Sequence, residues 1–165
     1  MNEEIMRYAK IMYEKNFLYG LDGSISYKLD NDNFIINKNL IYSNDINYFT
    51  KLQLNKNYKY TYASKDSLYH SYIYSSISQA KVIAVIVSEN ILKACNLGIL
   101  NYDNKNIIIN SNLILDNKNE LISQFNNLNK KYLLIKNFGL LIYDRDFNTL
   151  FANIFKLDLI TKIYS

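Results

Sequence analysis

The longest strongly apolar run in this chain is Val82-Ile83-Ala84-Val85-Ile86-Val87, which lies between Lys81 and Ser88. A continuous apolar run of this length is typical of a strand that is buried on both faces. It is far too short to cross a bilayer as a helix. We therefore expect a strand over 81–87 in the middle of a sheet, with other elements covering both of its sides.

The rest of the chain alternates between helical and extended patterns. Apolar residues three and four positions apart, next to capping residues, predict helices over 3–17, 64–78, 88–96, 119–128 and 146–164. Short alternating or continuous apolar runs predict strands over 23–28, 34–36, 106–110, 131–136 and 140–143. Ser64 is the predicted N-cap of the second helix, and Gly98 is placed to end the third. Residues 39–59 are ambiguous, with Ser43 a candidate cap for a short helix. This order favours a layered α/β or α+β domain.

Length and composition set broad limits on function. A chain of 165 residues with 49% hydrophobic residues favours one domain, here 1–165, around one core. The net charge is +4, and the lysines are scattered rather than clustered. Nucleic-acid surfaces need clustered basic residues, so we predict no nucleic-acid partner. Asn, Lys, Ile and Tyr have A/T-rich codons, so their abundance is better read as genomic bias than as a functional signal.

The cysteine content and the N-terminal sequence indicate the same compartment. The one cysteine, Cys95, excludes an internal disulfide, so nothing indicates an oxidising compartment. The N-terminus is acidic and lacks the basic start and apolar run of a signal peptide. We predict a cytoplasmic protein with no membrane partner. Cys95 lies in a helical pattern and is interpreted as a small buried hydrophobic residue.

Three segments, in order, carry a family resemblance. Residues 22–28, Asp-Gly-Ser-Ile-Ser-Tyr-Lys, resemble a hairpin motif S-G-N-x-S-x-R. Residues 64–74 begin Ser-Lys-Asp and contain His70 and Tyr74, as in S-S-E-x-x-x-H-x-x-I-Y. Residues 81–88 follow, and they resemble the family's next strand, which ends in H-x-H-S. Residues 133–142 contain Asn137-Phe138-Gly139, as in L-L-x-N-H-G. Together they resemble the class II aldolase/adducin family over about residues 3–164.

The resemblance implies a three-layer α/β/α fold with a largely antiparallel central sheet, and it identifies a loss of chemistry. The family's metal-binding histidines correspond to Val85, Val87 and Phe138, which have no lone pair to donate. Catalytic zinc needs about three protein ligands. We therefore expect no zinc and no other cofactor, and we expect these apolar side chains to fill the former metal pocket as packed core.

Other family positions keep more of their chemistry. The acid/base glutamate corresponds to Asp66, which is either a shortened catalytic carboxylate or an ordinary first-turn helix residue. His70 corresponds to a structural histidine of the family, although its spacing from Asp66 also permits acid/base work. The phosphate-binding positions correspond to Gly23, Ser24, Ser64 and Lys65. These residues form a candidate site for a small anionic or phosphorylated ligand.

Two functions remain open from the sequence. The first is a metal-free binding or structural module without aldolase activity, as in the adducin branch of the family. The second is an enzyme with residual lyase or isomerase activity on a small sugar phosphate, with Asp66 as base and Lys65 as electrostatic aid. The resemblance also implies a homo-oligomer, with a tetramer as one form. A tyrosine-rich set could supply the interface or could simply be half-buried: Tyr58, Tyr60, Tyr62, Tyr69, Tyr72 and Tyr74.

Overall fold

The computed structural model describes residues 2–56, 62–102, 105–109 and 115–164. Within these ranges the chain forms five α-helices and eight β-strands. The helices are α1 (Asn2–Glu14), α2 (Ser67–Ser76), α3 (Glu89–Cys95), α4 (Lys118–Leu128) and α5 (Phe147–Tyr164). The strands are β1 (Ser24–Lys28), β2 (Asn33–Asn37), β3 (Phe49–Gln53), β4 (Val82–Ile86), β5 (Ile99–Tyr102), β6 (Lys105–Ile108), β7 (Tyr132–Ile135) and β8 (Gly139–Asp144).

The main sheet has the strand order β3-β2-β1-β4-β8-β7, and every neighbouring pair in it is antiparallel. β4 lies inside this sheet between β1 and β8, and all five of its residues are buried. The strand predicted over 81–87 is therefore present as a doubly buried strand over 82–86, with Lys81 and Val87 just outside it. β5 and β6 form a separate antiparallel pair.

The two faces of the sheet support two hydrophobic clusters. On one face, Val82, Ala84 and Ile86 of β4 pack with residues of α1, α3 and α5. On the other face, Ile83 and Val85 pack with residues of α2 and α4. Successive strand residues point to opposite faces, so one apolar strand serves both clusters. The expected three-layer α/β/α arrangement with an antiparallel sheet is confirmed.

Several element boundaries differ from the sequence-based expectation. α1 ends at Glu14 rather than at Phe17, and Asn16 has a positive φ of 58° just after it. In the ambiguous stretch, Ser43 caps no helix; Asp45 instead caps a short 3-10 helix, Ile46–Tyr48, which leads into the unexpected strand β3. Gly98 does not terminate α3, which ends at Cys95 with Asn96 as its C-cap.

Local capping explains where the remaining helices begin. Ser88 accepts a hydrogen bond from the backbone N–H of Ile91, and it also donates to Asp158 of α5 at 2.8 Å. Asn117 accepts a hydrogen bond from the N–H of Glu120 and so starts α4.

Among the described helices, none is long and apolar enough to cross a membrane. The strand predicted over 106–110 is present as β6 up to Ile108, Ile109 lies outside the strand, and Asn110 lies outside the described residues.

Candidate functional site

A cavity of about 200 Å³ lies where the start of β1, the end of β4, the start of α2 and the turn before β8 meet. Its apolar wall consists of Val85, Val87, Leu92 and Phe138. The rest of its lining consists of Tyr19, Asp22, Gly23, Lys65, Asp66 and Asn137. The cavity thus combines one apolar side with one side that bears three charged residues.

Two glycines allow these segments to approach one another closely. Gly139 has a φ of +126°, and a Cβ there would lie 2.4 Å from the backbone oxygen of Ile86. Gly23 has a φ of +95°, and a Cβ there would lie 2.7 Å from Leu18 Cδ2. Both conformations disfavour residues with side chains. The glycines therefore bring the Asn137-Phe138 turn against the end of β4, and the start of β1 against the segment before it.

The three positions that the sequence resemblance matches to the family's metal ligands share the apolar wall of this cavity. Val85 and Val87 are buried, and Phe138 is half-buried with its ring edge-on to Tyr69 at 5.6 Å between centroids. Val85 and Val87 belong to a hydrophobic core cluster and Phe138 packs against it, as expected, but a cavity lined by all three remains beside them.

Asp66 is the buried carboxylate of the site. It occupies the N-cap position of α2, yet its side chain makes no capping hydrogen bond. Its Oδ2 instead accepts a hydrogen bond from Ser24 at 2.9 Å. Asp66 is therefore a buried N-cap residue rather than a first-turn residue of α2, and both interpretations of its role stay predictions. Ser64 also differs from its predicted role, because its hydroxyl accepts from the N–H of Asp66 one turn before α2 begins.

A buried chain of hydrogen bonds leads from Asp66 into the protein. Ser24 Oγ lies 2.8 Å from His70 Nε2, Ser26 Oγ lies 2.6 Å from His70 Nδ1, and Tyr74 Oη lies 2.7 Å from Ser26 Oγ. All five residues of this chain are buried. The structural interpretation of His70 is consistent with this position, since its ring links two strand serines beneath the cavity.

The number of available protons determines which group donates in each hydrogen bond between Tyr74 and Asp66. Burial lowers the pKa of His70 to about 3, so the ring is neutral and has one N–H. An ionised Asp66 can only accept hydrogen bonds, so Ser24 donates its single hydroxyl proton to Asp66. Ser24 must therefore accept a hydrogen bond from His70 Nε2–H. His70 Nδ1 then accepts from Ser26, and Ser26 accepts from Tyr74. Every hydroxyl and ring proton in the chain thus points toward the carboxylate.

The pKa of Asp66 reflects several competing influences. Burial raises it most, the Ser24 hydrogen bond and the charge of Lys65 lower it, and the charge of Asp22 raises it, which leaves a pKa of about 6. A carboxyl group with such a pKa changes its charge close to neutral pH. The mouth of the cavity is less negative than its two carboxylates suggest, because Lys65 donates to Asp22 Oδ1 in an ion pair.

The predicted anion-binding residues fall into two groups. Gly23 and Lys65 line the cavity beside Asp66. Ser24 and Ser64 are buried behind it, and their hydroxyls already bond to Asp66 or to its backbone N–H. An anion held by Gly23 and Lys65 would face the carboxylates of Asp22 and Asp66. Anion binding at these four positions stays a prediction.

Sequence reasoning missed part of the site, although a signal was present. Tyr19 and Leu92 line the cavity without a distinctive sequence pattern, whereas Asp22 and Asn137 lie within the family motifs but were not predicted as site residues. By contrast, Ser24 and Ser26 are two apart on a strand, while Asp66, His70 and Tyr74 are four apart on a helix. Two strand residues and four helix residues advance by about the same length, roughly 6–7 Å. Successive polar residues of the strand can therefore lie beside successive polar residues of the helix and form hydrogen bonds with them.

The residues present do not fit the family's metal. Val85, Val87 and Phe138 offer no donor atom, and the possible ligands in the cavity lining are Asp22 and Asp66. Across the described part of the chain, no group of three His, Cys, Asp or Glu side chains is arranged to hold a metal ion. Cys95 is buried, as interpreted from the sequence, and burial raises the pKa of its thiol to about 11.

Known proteins of similar sequence or structure place this fold in a family. The family model described as class II aldolase and adducin N-terminal domain matches residues 3–165. No curated protein matches the chain in sequence.

Solved structures of aldolases share the fold at low sequence identity. An L-fuculose-1-phosphate aldolase from Thermus thermophilus superposes with a TM-score of 0.76 at 11% identity, over 96% of this chain and 90% of that one. An L-fuculose 1-phosphate aldolase from Glaciozyma antarctica gives 0.74 at 14% identity, over 98% and 70%. A sugar-phosphate aldolase from Thermotoga maritima gives 0.69 at 12% identity, over 98% and 92%. Because the family model spans nearly the whole sequence, the chain belongs to the class II aldolase/adducin family.

Proposed function

We propose that this protein is a metal-independent binding member of the class II aldolase/adducin family, organised as one domain over 1–165. It retains the family pocket as a small cavity and lacks metal-dependent aldol cleavage. The observation behind this proposal is that Val85, Val87 and Phe138 converge on one cavity with Asp66. A cavity whose wall at these three positions is apolar is suited to binding small molecules rather than to Lewis-acid chemistry.

A second candidate is an enzyme acting on a small sugar phosphate, as the aldolases of similar fold do according to their names. The observation in its favour is Asp66, whose pKa of about 6 suits a general base near neutral pH. Lys65 would assist electrostatically. Against it stands the ion pair between Lys65 and Asp22, because the cation of the cavity lining is already paired with a carboxylate.

Metal content separates the two candidates from an intact family enzyme. Protein purified without chelators is analysed by elemental mass spectrometry for zinc, manganese, iron and cobalt. We expect far less than one equivalent of any of them. One equivalent of a divalent metal per chain contradicts the proposal, because it requires a ligand set other than the family's three positions.

An activity assay then separates binding from catalysis. The protein is incubated with L-fuculose 1-phosphate with and without added zinc, and loss of substrate is followed by phosphorus NMR. We expect no turnover above buffer. Turnover that disappears in Asp66→Asn and persists in the surface variant Asp32→Asn, which removes the same charge from the turn between β1 and β2, establishes the enzyme instead.

The proposal extends to assembly and location as further expectations. We propose a cytoplasmic homo-oligomer, with a tetramer as one form, and no nucleic-acid or membrane partner. Tyr62 is strongly exposed and Tyr69 and Tyr72 are half-buried, so these can contribute to an interface. Tyr74 cannot, because it is buried and bonded to Ser26. Tyr58 and Tyr60 lie outside the described residues. Light scattering after size exclusion gives the oligomeric state directly.

A further inference from the structure

We propose that the cavity binds a small ligand with an ammonium group on an apolar body, and that Asp66 is its counter-ion. This inference rests on the proposed binding function and specifies the ligand class at the same site. It departs from the phosphorylated ligands for which the family positions are known. The size of the cavity, its charge and its hydrogen-bonding groups each support a ligand with an ammonium group on an apolar body.

The apolar half of the cavity sets the size and nature of the ligand body. Val85, Val87, Leu92 and Phe138 form a continuous wall without a polar side-chain atom. The cavity volume of about 200 Å³ slightly exceeds that of engineered cavities of about 150 Å³ that bind benzene. The body is therefore about the size of one substituted ring or a branched chain of similar volume. Drug-sized ligands need larger pockets.

The charge of the lining sets the sign of the head group. Lys65 and Asp22 neutralise each other as an ion pair at the mouth. Asp66 remains as the uncompensated charge of the lining, so the cavity is net negative once this carboxyl is ionised. An anionic head group would meet repulsion from Asp66, whereas an ammonium group would neutralise it.

The hydrogen bonds of Asp66 leave one acceptor for this head group. Ser24 donates to Oδ2, and among the described residues Oδ1 has no hydrogen-bond partner. Asp66 is about 1% exposed and lines the cavity, so a ligand there is the available partner for Oδ1. Behind Asp66, Ser24 donates a hydrogen bond to the carboxylate, which favours its ionised form.

The pH dependence of binding then has a definite sign. The charged or titratable groups around Asp66 are Asp22, Lys65, the neutral His70, and Tyr69 with its partner Asp116. Burial raises the pKa of Tyr69 to about 12, so it stays neutral. Asp66, with a pKa of about 6, is the group that changes charge between pH 5 and 8. Ammonium binding should weaken below pH 6, whereas anion binding should strengthen there.

The test compares three probes of matched shape by protein-observed NMR titration at pH 8 and pH 5: benzylamine, benzyl alcohol and benzoate. We expect benzylamine to bind at pH 8 with shifts centred on Gly23, Asp66 and Val87, and to weaken at pH 5. Benzyl alcohol should bind more weakly and equally at both pH values. Benzoate should not bind at pH 8.

Variants assign the binding to Asp66 and to the apolar wall. Asp66→Asn keeps the side-chain size and the Ser24 contact, so it should fold, and its spectrum verifies this. It should weaken benzylamine binding by about tenfold to a hundredfold and leave benzyl alcohol unchanged. The control Asp32→Asn should bind like the natural chain. Leu92→Phe narrows the cavity without changing charge and should weaken both benzylamine and benzyl alcohol.

Two results overturn the inference. One is tighter binding of benzoate or inorganic phosphate than of benzylamine, which would identify an anion site at Gly23 and Lys65. The other is unchanged benzylamine affinity in Asp66→Asn. Neither result contradicts a metal-free binding protein, whose own test is the metal content of the same sample. The two proposals therefore fail separately.

Discussion

At the scale of single residues, Asp66 and His70 give opposite pH dependences to stability. Burial lowers the pKa of His70 from 6.5 to about 3, so its contribution to stability is present above pH 6.5 and is lost as the pH falls toward 3. Burial raises the pKa of Asp66 from 3.8 to about 6, so its contribution is present below pH 3.8 and is lost as the pH rises through 6. Between about pH 4 and 6 the two effects oppose each other.

Removing the Asp66 charge should expose the His70 dependence. In Asp66→Asn, acidification from pH 7 to 4.5 should reduce the free energy of unfolding more steeply than in the natural chain. The difference should approach about 1 kcal/mol per pH unit within this window, since one proton is involved. Urea unfolding at several pH values measures it, with Asp32→Asn as the control. Parallel stability curves for Asp66→Asn and the natural chain would show that Asp66 has an ordinary pKa.

The sequence identified Asp66 and His70 as a pair but not the contacts that give them these properties. Their spacing of four residues places both on one helix face, which sequence alone establishes. Whether that face meets solvent or the serines of β1 depends on how α2 packs on the sheet. For this reason, the buried environment of Asp66 and the roles of Ser26 and Tyr74 became visible only in the structure.

At the scale of elements, strongly patterned segments were predictable and weakly patterned ones were not. β4 has a uniform apolar run, and its doubly buried position follows from that run. β3 has the mixed sequence Phe-Thr-Lys-Leu-Gln and an exposed, edge position in the sheet. An edge strand buries little, so its pattern hardly differs from that of a loop. Pairing with β2, a tertiary contact, determines its conformation.

The junction between β7 and β8 depends on one glycine, and this gives a second prediction. Gly139→Ala should lower the free energy of unfolding by about 2 kcal/mol or more, because the added Cβ meets the Ile86 oxygen and the φ of +126° is strained for alanine. Gly98→Ala is the matched control: a Cβ there has nothing within 4 Å, so its effect should stay within about 0.5 kcal/mol. Urea unfolding measures both. Equal effects of the two substitutions would show that this close approach does not limit stability.

At the scale of the whole molecule, the chain has the family fold, while the three positions that the sequence resemblance matches to metal ligands are apolar. Those positions come from β4 and its end and from the turn before β8, and the sheet holds them together through β4–β8 pairing. The positions of the residues are set by backbone packing, while the chemistry is set by the side chains. The order and spacing of the three family motifs in the sequence predicted the positions of these residues. The sequence did not predict the cavity that remains beside their side chains, since cavity volume depends on how the side chains pack.

Restoring the histidines tests whether the backbone still has the arrangement of a metal site. In the triple variant Val85→His, Val87→His and Phe138→His, three imidazoles would line one cavity beside Asp66, and zinc needs about three protein ligands at such a site. We expect about one equivalent of zinc per chain by elemental analysis and a rise in thermal stability on adding zinc, because a ligand that binds the folded state stabilises it. The double variant that keeps Phe138 should bind zinc much more weakly. If the triple variant folds without binding zinc, the backbone itself has moved away from the family's metal geometry.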